Sequence, residues 1–269
     1  MDLLNLLQYT FIQRAFLAGS FVALTCAALG TFLVLRKMSL IGDGLSHVSF
    51  GAIALGLFFG VYPFYVAVPV VMLGSLLILK ISEKAKVYGD AAIGIVSAIG
   101  IAGGVILASL SRGFNVDLFS YLFGNILAIS ASETILSVAL SFLVLLVLYL
   151  FYWDLFSATF DEEYAKTTGI KTNFINSLLT LLTAVTVVLS IKMVGIMLVS
   201  AFLILPAVTA LQLARGFKTT MLVAAATALV SVVLGISFSF FLDLPAGATI
   251  VMLNAIFFAL AFVYKKLAL

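Results

Sequence analysis

Long apolar runs, broken by short polar turns, dominate this chain. The runs lie near residues 15–35, 39–60, 62–81, 91–110, 131–152, 173–191, 193–213 and 219–241, and a last one reaches about 264. Each is close to the roughly 20 helical residues that span a hydrocarbon core about 30 Å thick. The pattern predicts an all-α, polytopic integral membrane protein with nine transmembrane helices, or eight if one segment is re-entrant. Residues 1–14 are mildly amphipathic and are expected to lie along one membrane face. Residues 111–130 are too polar at their start to cross and predict a loop with a short re-entrant or interfacial helix. Pro206 falls inside the seventh run, where it should kink the helix. No linker or soluble segment interrupts the series, so residues 1–269 read as one transmembrane domain.

Composition narrows the class. Hydrophobic residues make up 64% of the 269 positions and charged residues only 9%, where soluble domains carry about 25%. Arg36, Lys37, Lys80, Lys84, Lys86, Lys166, Lys171, Arg215, Lys218, Lys265 and Lys266 fall on one side of the predicted membrane. Only Arg14, Arg112 and Lys192 fall on the other. The positive-inside rule makes the first side cytoplasmic, with the N-terminus outside and the C-terminus inside. The basic residues are accounted for by topology, so no nucleic-acid partner is called for. Cys26 is the sole cysteine and lies in an apolar run, which excludes an intramolecular disulfide and a Cys-rich zinc site. No cleavable signal peptide is expected, because Asp2 stands where a basic start would be.

One polar pair stands out against this background. Asp43 and His47, the only histidine, are four residues apart in Ser39-Leu40-Ile41-Gly42-Asp43-Gly44-Leu45-Ser46-His47. On a helix they share a face, and Gly51 continues the stripe. Counted from Arg36 and Lys37 at the surface, Asp43 is about 10 Å deep and His47 about 16 Å. Ionisable groups at such depth are costly and mark transport paths or water-filled cavities. A carboxylate beside a neutral imidazole is also the start of a divalent-metal site. The competing reading is a hydrogen-bonded pair that fixes helix register. Ser46, Ser49 and the nearby glycines would let an ion or a neighbouring helix come close to the backbone.

A second signal lies in the longest cytoplasmic loop, 153–172. There Thr159 or Asp161 could cap a short helix with Glu162 and Glu163 in its first turn, and Gly169 could end it. The spacing Glu163-x-Ala165-x-x-x-Gly169 is that of the docking signature of ABC importer permeases; a solvated charged loop explains it equally well. The chain has no G-x-x-x-x-G-K-[ST] phosphate loop, so it is expected not to be an enzyme, and any ATP hydrolysis would occur in a separate subunit. Glu133 and Lys192, near the predicted outer surface, are candidate gate residues or snorkelling charges.

With these residues in view, the sequence resembles the bacterial metal-ion ABC permeases, importers of zinc, manganese or iron. The resemblance rests on Gly30–Leu40, Gly42-Asp43-x-Leu45-Ser46-His47, Phe160–Ile170, Val194–Ala201 and Leu203–Ala207. It implies a homodimer in the bacterial plasma membrane, served by two ABC ATPase subunits and an extracytoplasmic metal-binding protein. It implies Asp43 and His47 as ligands of a transported metal, and Asp161, Glu162, Glu163, Ala165 and Gly169 as the ATPase-coupling residues. No permanently bound cofactor is implied. Phe11–Ala18 and Asp243–Ala248 look more like the zinc members, which makes Zn²⁺ the expected cargo and Mn²⁺ or Fe²⁺ the alternatives. A proton-driven secondary transporter with Asp43–His47 as relay, and a non-transporting scaffold, remain as rivals.

Overall fold

The computed structural model describes residues 8–84, 89–110 and 116–268, and among them every regular element is a helix. Lys86 and Arg112, part of the charge argument, lie outside these residues. In chain order the helices are α1 (Thr10–Leu35), α2 (Ile41–Phe58), α3 (Pro63–Lys84) and α4 (Gly89–Leu110), then the short α5 (Val116–Phe123) and a 3₁₀ turn at Ile126–Ala128. Next come α6 (Ala131–Leu150), α7 (Tyr152–Phe160), α8 (Glu162–Thr167), α9 (Thr172–Val194), α10 (Val199–Leu213), α11 (Phe217–Leu242) and α12 (Ala246–Ala268).

Eight of these helices are long and apolar enough to cross a membrane. The fifteen-residue α10 falls short by length alone. Its ends nevertheless match those of α12. A Cβ at Gly247, at the start of α12, would stand 2.7 Å from Val194 Cα. At the other end Lys265 Nζ donates to Gln212 Oε1 at 3.3 Å. The chain from Val194 to Gln212 therefore runs beside α12 over most of its length.

Burial follows the lipid constraint. In α1, α2 and α9 about two-thirds of the best apolar window is buried, so these helices form the centre. Helices α3, α4, α6 and α12 turn most of theirs outward, with Leu73, Ile99, Ile135 and Leu260 among the exposed side chains. An apolar helix surface of this kind is stable against lipid, where backbone groups are satisfied within each helix. The tightest pair is α2 against α4. A Cβ at Gly51 would lie 2.6 Å from the Gly100 carbonyl oxygen, so two glycines let the backbones touch.

Two expectations need correction. The first span begins at Thr10, with Ile12 fully buried, so residues 10–14 belong to it and not to a surface segment. Residues 1–7 lie outside the described part of the chain. The seventh span begins at Val199 and not near 193. Gly195 ends α9 at φ +82 and packs its backbone on Gly124, also at positive φ (+72). Ile196 N then donates to the Tyr121 carbonyl at 3.0 Å. Hydropathy is blind to this break, because 194–199 is apolar whether helical or not. The segment 111–130 does carry a short helix, α5, and the 3₁₀ turn in its described part.

The α2–α4 contact gives a direct test. Gly51→Ala must push Gly100 away and should lower stability by about 1–3 kcal/mol. Gly94→Ala, at a position with nothing within 4 Å, should be neutral. Thermal melting of the two purified variants beside the parent protein measures the difference.

Candidate functional site

Helix α2 carries the polar pair. It starts at Ile41, after a turn at 36–40, and Asp43 lies in its first turn, where a carboxylate favours the helix dipole. One contact fixes its depth. Gly30 of α1 packs on the Leu203 carbonyl, and Gly42 packs on the Leu203 side chain. Gly42 therefore sits near the level of Gly30, six residues or about 9 Å from Arg36 along α1.

His47 Nε2 and Asp43 Oδ2 are 3.7 Å apart. That is too long for a hydrogen bond. A metal held tetrahedrally by one nitrogen and one oxygen at about 2.1 Å needs donors about 3.4 Å apart. A small side-chain rotation closes the difference. The Asp43 side chain is 52% exposed and that of His47 30%, while the residues between them, Gly44, Leu45 and Ser46, are buried. Asp43 and His47 thus mark an uncovered stripe on a helix otherwise packed on α3, α4, α9 and α10. Ser46 and Ser49 are fully buried beside the pair. Their hydroxyls donate to Asp43 O at 2.7 Å and Leu45 O at 2.8 Å in their own helix. Among the described residues no third His, Cys, Asp or Glu joins the pair. Cys26 is buried elsewhere, its Sγ 3.1 Å from Ser190 Oγ, and this links α1 to α9. One chain therefore brings two candidate donors to one helix face.

The loop 153–172 folds as two short helices, α7 and α8, where the sequence led us to expect one. Asp161 is the N-cap of α8 and accepts from Tyr164 N at 2.9 Å. Thr159 is not the cap; its hydroxyl donates to Leu155 O. Gly169, at φ +89, closes α8: its N–H bonds Lys166 O and Ile170 N bonds Ala165 O, the paired bonds of a Schellman turn. Ala165 is fully buried, whereas Phe160, Glu163 and Tyr164 face outward. Beneath them Phe156 and Phe160 pack on Phe217 of α11, which also meets Phe32 of α1.

Glu162 turns inward. Lys166 Nζ is 3.0 Å from its Oε1, and Arg36 Nη2 is 4.0 Å from its Oε2. The Lys166 hydrogen bond chiefly, with the charges of Lys166 and Arg36, holds the Glu162 carboxyl below the usual carboxylate range against partial burial. Arg36 Nη2 also donates to Asn176 Oδ1 of α9 at 2.5 Å and to Ala158 O of α7 at 3.4 Å. Burial draws the Arg36 guanidinium below its ordinary value, and Glu162 opposes this.

Glu133 and Lys192 meet at the opposite end of the bundle. Lys192 Nζ is 2.9 Å from Glu133 Oε1 and lies 4.6 Å over the Tyr121 ring. The Tyr62 hydroxyl donates to the same carboxylate oxygen. Burial and the adjoining carboxylate push the Tyr62 hydroxyl up, which keeps it a donor. Ser130 and Glu133 complete a capping box at the start of α6. The cluster ties the α2–α3 turn, α5, α6 and the end of α9 together. The Glu133 side chain is 12% exposed and that of Lys192 25%.

Sequence reasoning missed Arg36, Asn176, Tyr62, Tyr121 and Phe217 as parts of these clusters. Arg36 registered only as a topological charge. The others have no local signal, since their partners come from distant helices.

The comparisons with known proteins agree with this architecture. The profile of the ABC 3 transport family matches residues 8–265. The "Manganese transport system membrane protein MntC" of Halalkalibacterium halodurans is 37% identical over 261 residues, which covers 97% of this chain and 89% of that protein. The "High-affinity zinc uptake system membrane protein ZnuB" of Haemophilus influenzae is 33% identical over 254 residues, 94% of this chain and 97% of that one. Among solved structures, "PsaBC from Streptococcus pneumoniae in complex with Fab" superposes with a TM-score of 0.86 at 32% identity, covering 96% of this chain and 93% of that one. A profile match over nearly the whole length, on a bundle of this shape, makes the chain a multi-pass membrane protein of the ABC 3 transport family.

Proposed function

We propose that this chain is the permease of an ATP-driven importer that carries a divalent transition-metal ion into the cell, with Asp43 and His47 as the ion's ligands within the membrane. The observation that carries the reading is the Asp43–His47 pair, 3.7 Å apart on the uncovered stripe of α2. Ionisable groups inside a bundle and open on one side are expected along an ion path. Two copies of the chain facing each other across this stripe supply two carboxylates and two imidazoles, enough for a four-coordinate ion.

Mn²⁺ is the first choice of cargo and Zn²⁺ the second. Relatives named for manganese reach 37% and 35% identity, and the zinc-named relative 33%. The donors are oxygen and nitrogen with no sulfur, a set that hard Mn²⁺ accepts. The zinc expectation persists because the same donors suit Zn²⁺ as well.

The exposed face of α8, with the end of α7, docks an ATPase subunit through Phe160, Glu163 and Tyr164. Asp161, Ala165 and Gly169 shape that helix, and Glu162 joins it to the bundle. An extracytoplasmic metal-binding protein delivers the ion at the far end, where the Glu133–Lys192 pair serves as the outer gate. The site must hold the ion firmly enough to capture it and weakly enough to release it.

Three measurements test this reading. In proteoliposomes holding the whole complex, His47→Ala and Asp43→Ala should each cut ATP-dependent Mn²⁺ uptake on the order of 100-fold; uptake at the parent rate refutes the ligand assignment, and Zn²⁺ in place of Mn²⁺ in the same assay decides the cargo. Glu163→Arg should abolish co-purification of the ATPase subunit while the melting temperature of the permease is unchanged. Lys192→Met leaves Glu133 without its cation and should make metal-loaded vesicles leak without ATP; vesicles as tight as the parent's reduce the pair to packing.

A further inference from the structure

Arg36 is the most confined charge at the cytoplasmic end. Its side chain is 7% exposed, and it touches three separate elements: the Ala158 carbonyl of α7, Asn176 of α9 and Glu162 of α8. Yet its fork is only half used. The Glu162 contact, at 4.0 Å, is longer than a hydrogen bond, and among the described residues nothing accepts from the buried Nη1. A bidentate arginine–carboxylate pair is the strong form of this contact. A cavity of about 330 Å³ adjoins the guanidinium, bounded by Lys37, Met38, Leu79 and Thr159 as well as by Glu162 and Asn176. There is room for α8 to shift toward Arg36.

The other side of Arg36 is stiff. It is the C-cap of α1, and the next two residues close a Schellman turn: Lys37 N bonds Val34 O at 3.1 Å and Met38 N bonds Leu33 O at 2.8 Å. Lys37 is held at φ +57, a left-handed conformation uncommon outside glycine. Met38 O then accepts from Ile41 N at 3.1 Å, the first residue of α2. Asp43 and His47 follow two and six residues later. Little slack separates the guanidinium from the helix that bears them.

We propose that Arg36 is the positioning residue that couples the docking segment to the ion ligands: its incomplete fork with Glu162 closes when α7–α8 move inward, and the rigid turn at 36–41 passes that movement to α2. The inference rests on the proposed ATP-driven import. It adds which residue links the motor's docking site to Asp43 and His47. Arg36→Lys keeps the charge but loses the planar fork that can serve several acceptors together. Glu162→Gln, at a partly exposed position, keeps the shape but loses the carboxylate.

The test is the number of Mn²⁺ ions imported per ATP hydrolysed by the reconstituted complex, alongside ATPase co-purification and melting temperature. Both variants should assemble and melt like the parent, while the ratio falls roughly 2- to 30-fold, the range of mutations that weaken coupling between sites. A ratio equal to the parent's in Glu162→Gln overturns the inference, as does a loss of uptake matched by a proportional loss of hydrolysis in both variants. If the parent complex itself shows no ATP-dependent uptake, the import reading fails, separately from the role of Arg36.

Discussion

A charge surrounded by lipid needs a partner, and this constraint organises the bundle. At the cytoplasmic end Arg36 gathers a carboxylate, an amide oxygen and a carbonyl. At the outer end Glu133 gathers an ammonium, a phenol and a capping serine. Between these two clusters lies one pair that the chain leaves uncovered. Asp43 and His47 share a helix face, stand apart by more than a hydrogen bond, and look out from the bundle. Their cost is tolerable if the face meets a second copy of the chain, water or an ion, and is severe against lipid tails.

The backbone around this pair is built for little deformation. Gly51 and Gly100 bring α2 and α4 into backbone contact, so the two move as a unit. The turn before α2 is locked by its own hydrogen bonds, and α8 is locked by a capping aspartate and a glycine-closed end. Stiff pieces joined at a few polar contacts shift as bodies, which is the repertoire of switching transitions in packed proteins. The polar contacts at the ends, and not the apolar faces, are where such shifts can be registered.

The two ends also differ in chemistry. The end that carries α8 mixes aromatic packing around Phe217 with the exposed Glu163 and Tyr164, a surface suited to a protein partner. The outer cluster is compact and largely covered. It joins the α2–α3 turn to the starts and ends of other helices, from Tyr62 to Lys192.

What the sequence determined was local. Runs of about twenty apolar residues predict spans, because length and hydropathy alone decide membrane insertion. The i, i+4 spacing of Asp43 and His47 sets their shared face, and Asp161 with Gly169 bounds a short helix, because helix geometry needs no distant residue. The break at Gly195 escaped, since apolar residues read alike inside and outside a helix, and the start of the first span at Thr10 escaped because Gln13 and Arg14 read as surface residues. Tertiary structure alone decided which charges meet. Arg36 finds Asn176 across 140 positions and Glu133 finds Tyr62 across 71, and neither partner has a pattern of its own. Such pairings depend on which helix faces pack together, a property of the whole bundle that no single segment encodes.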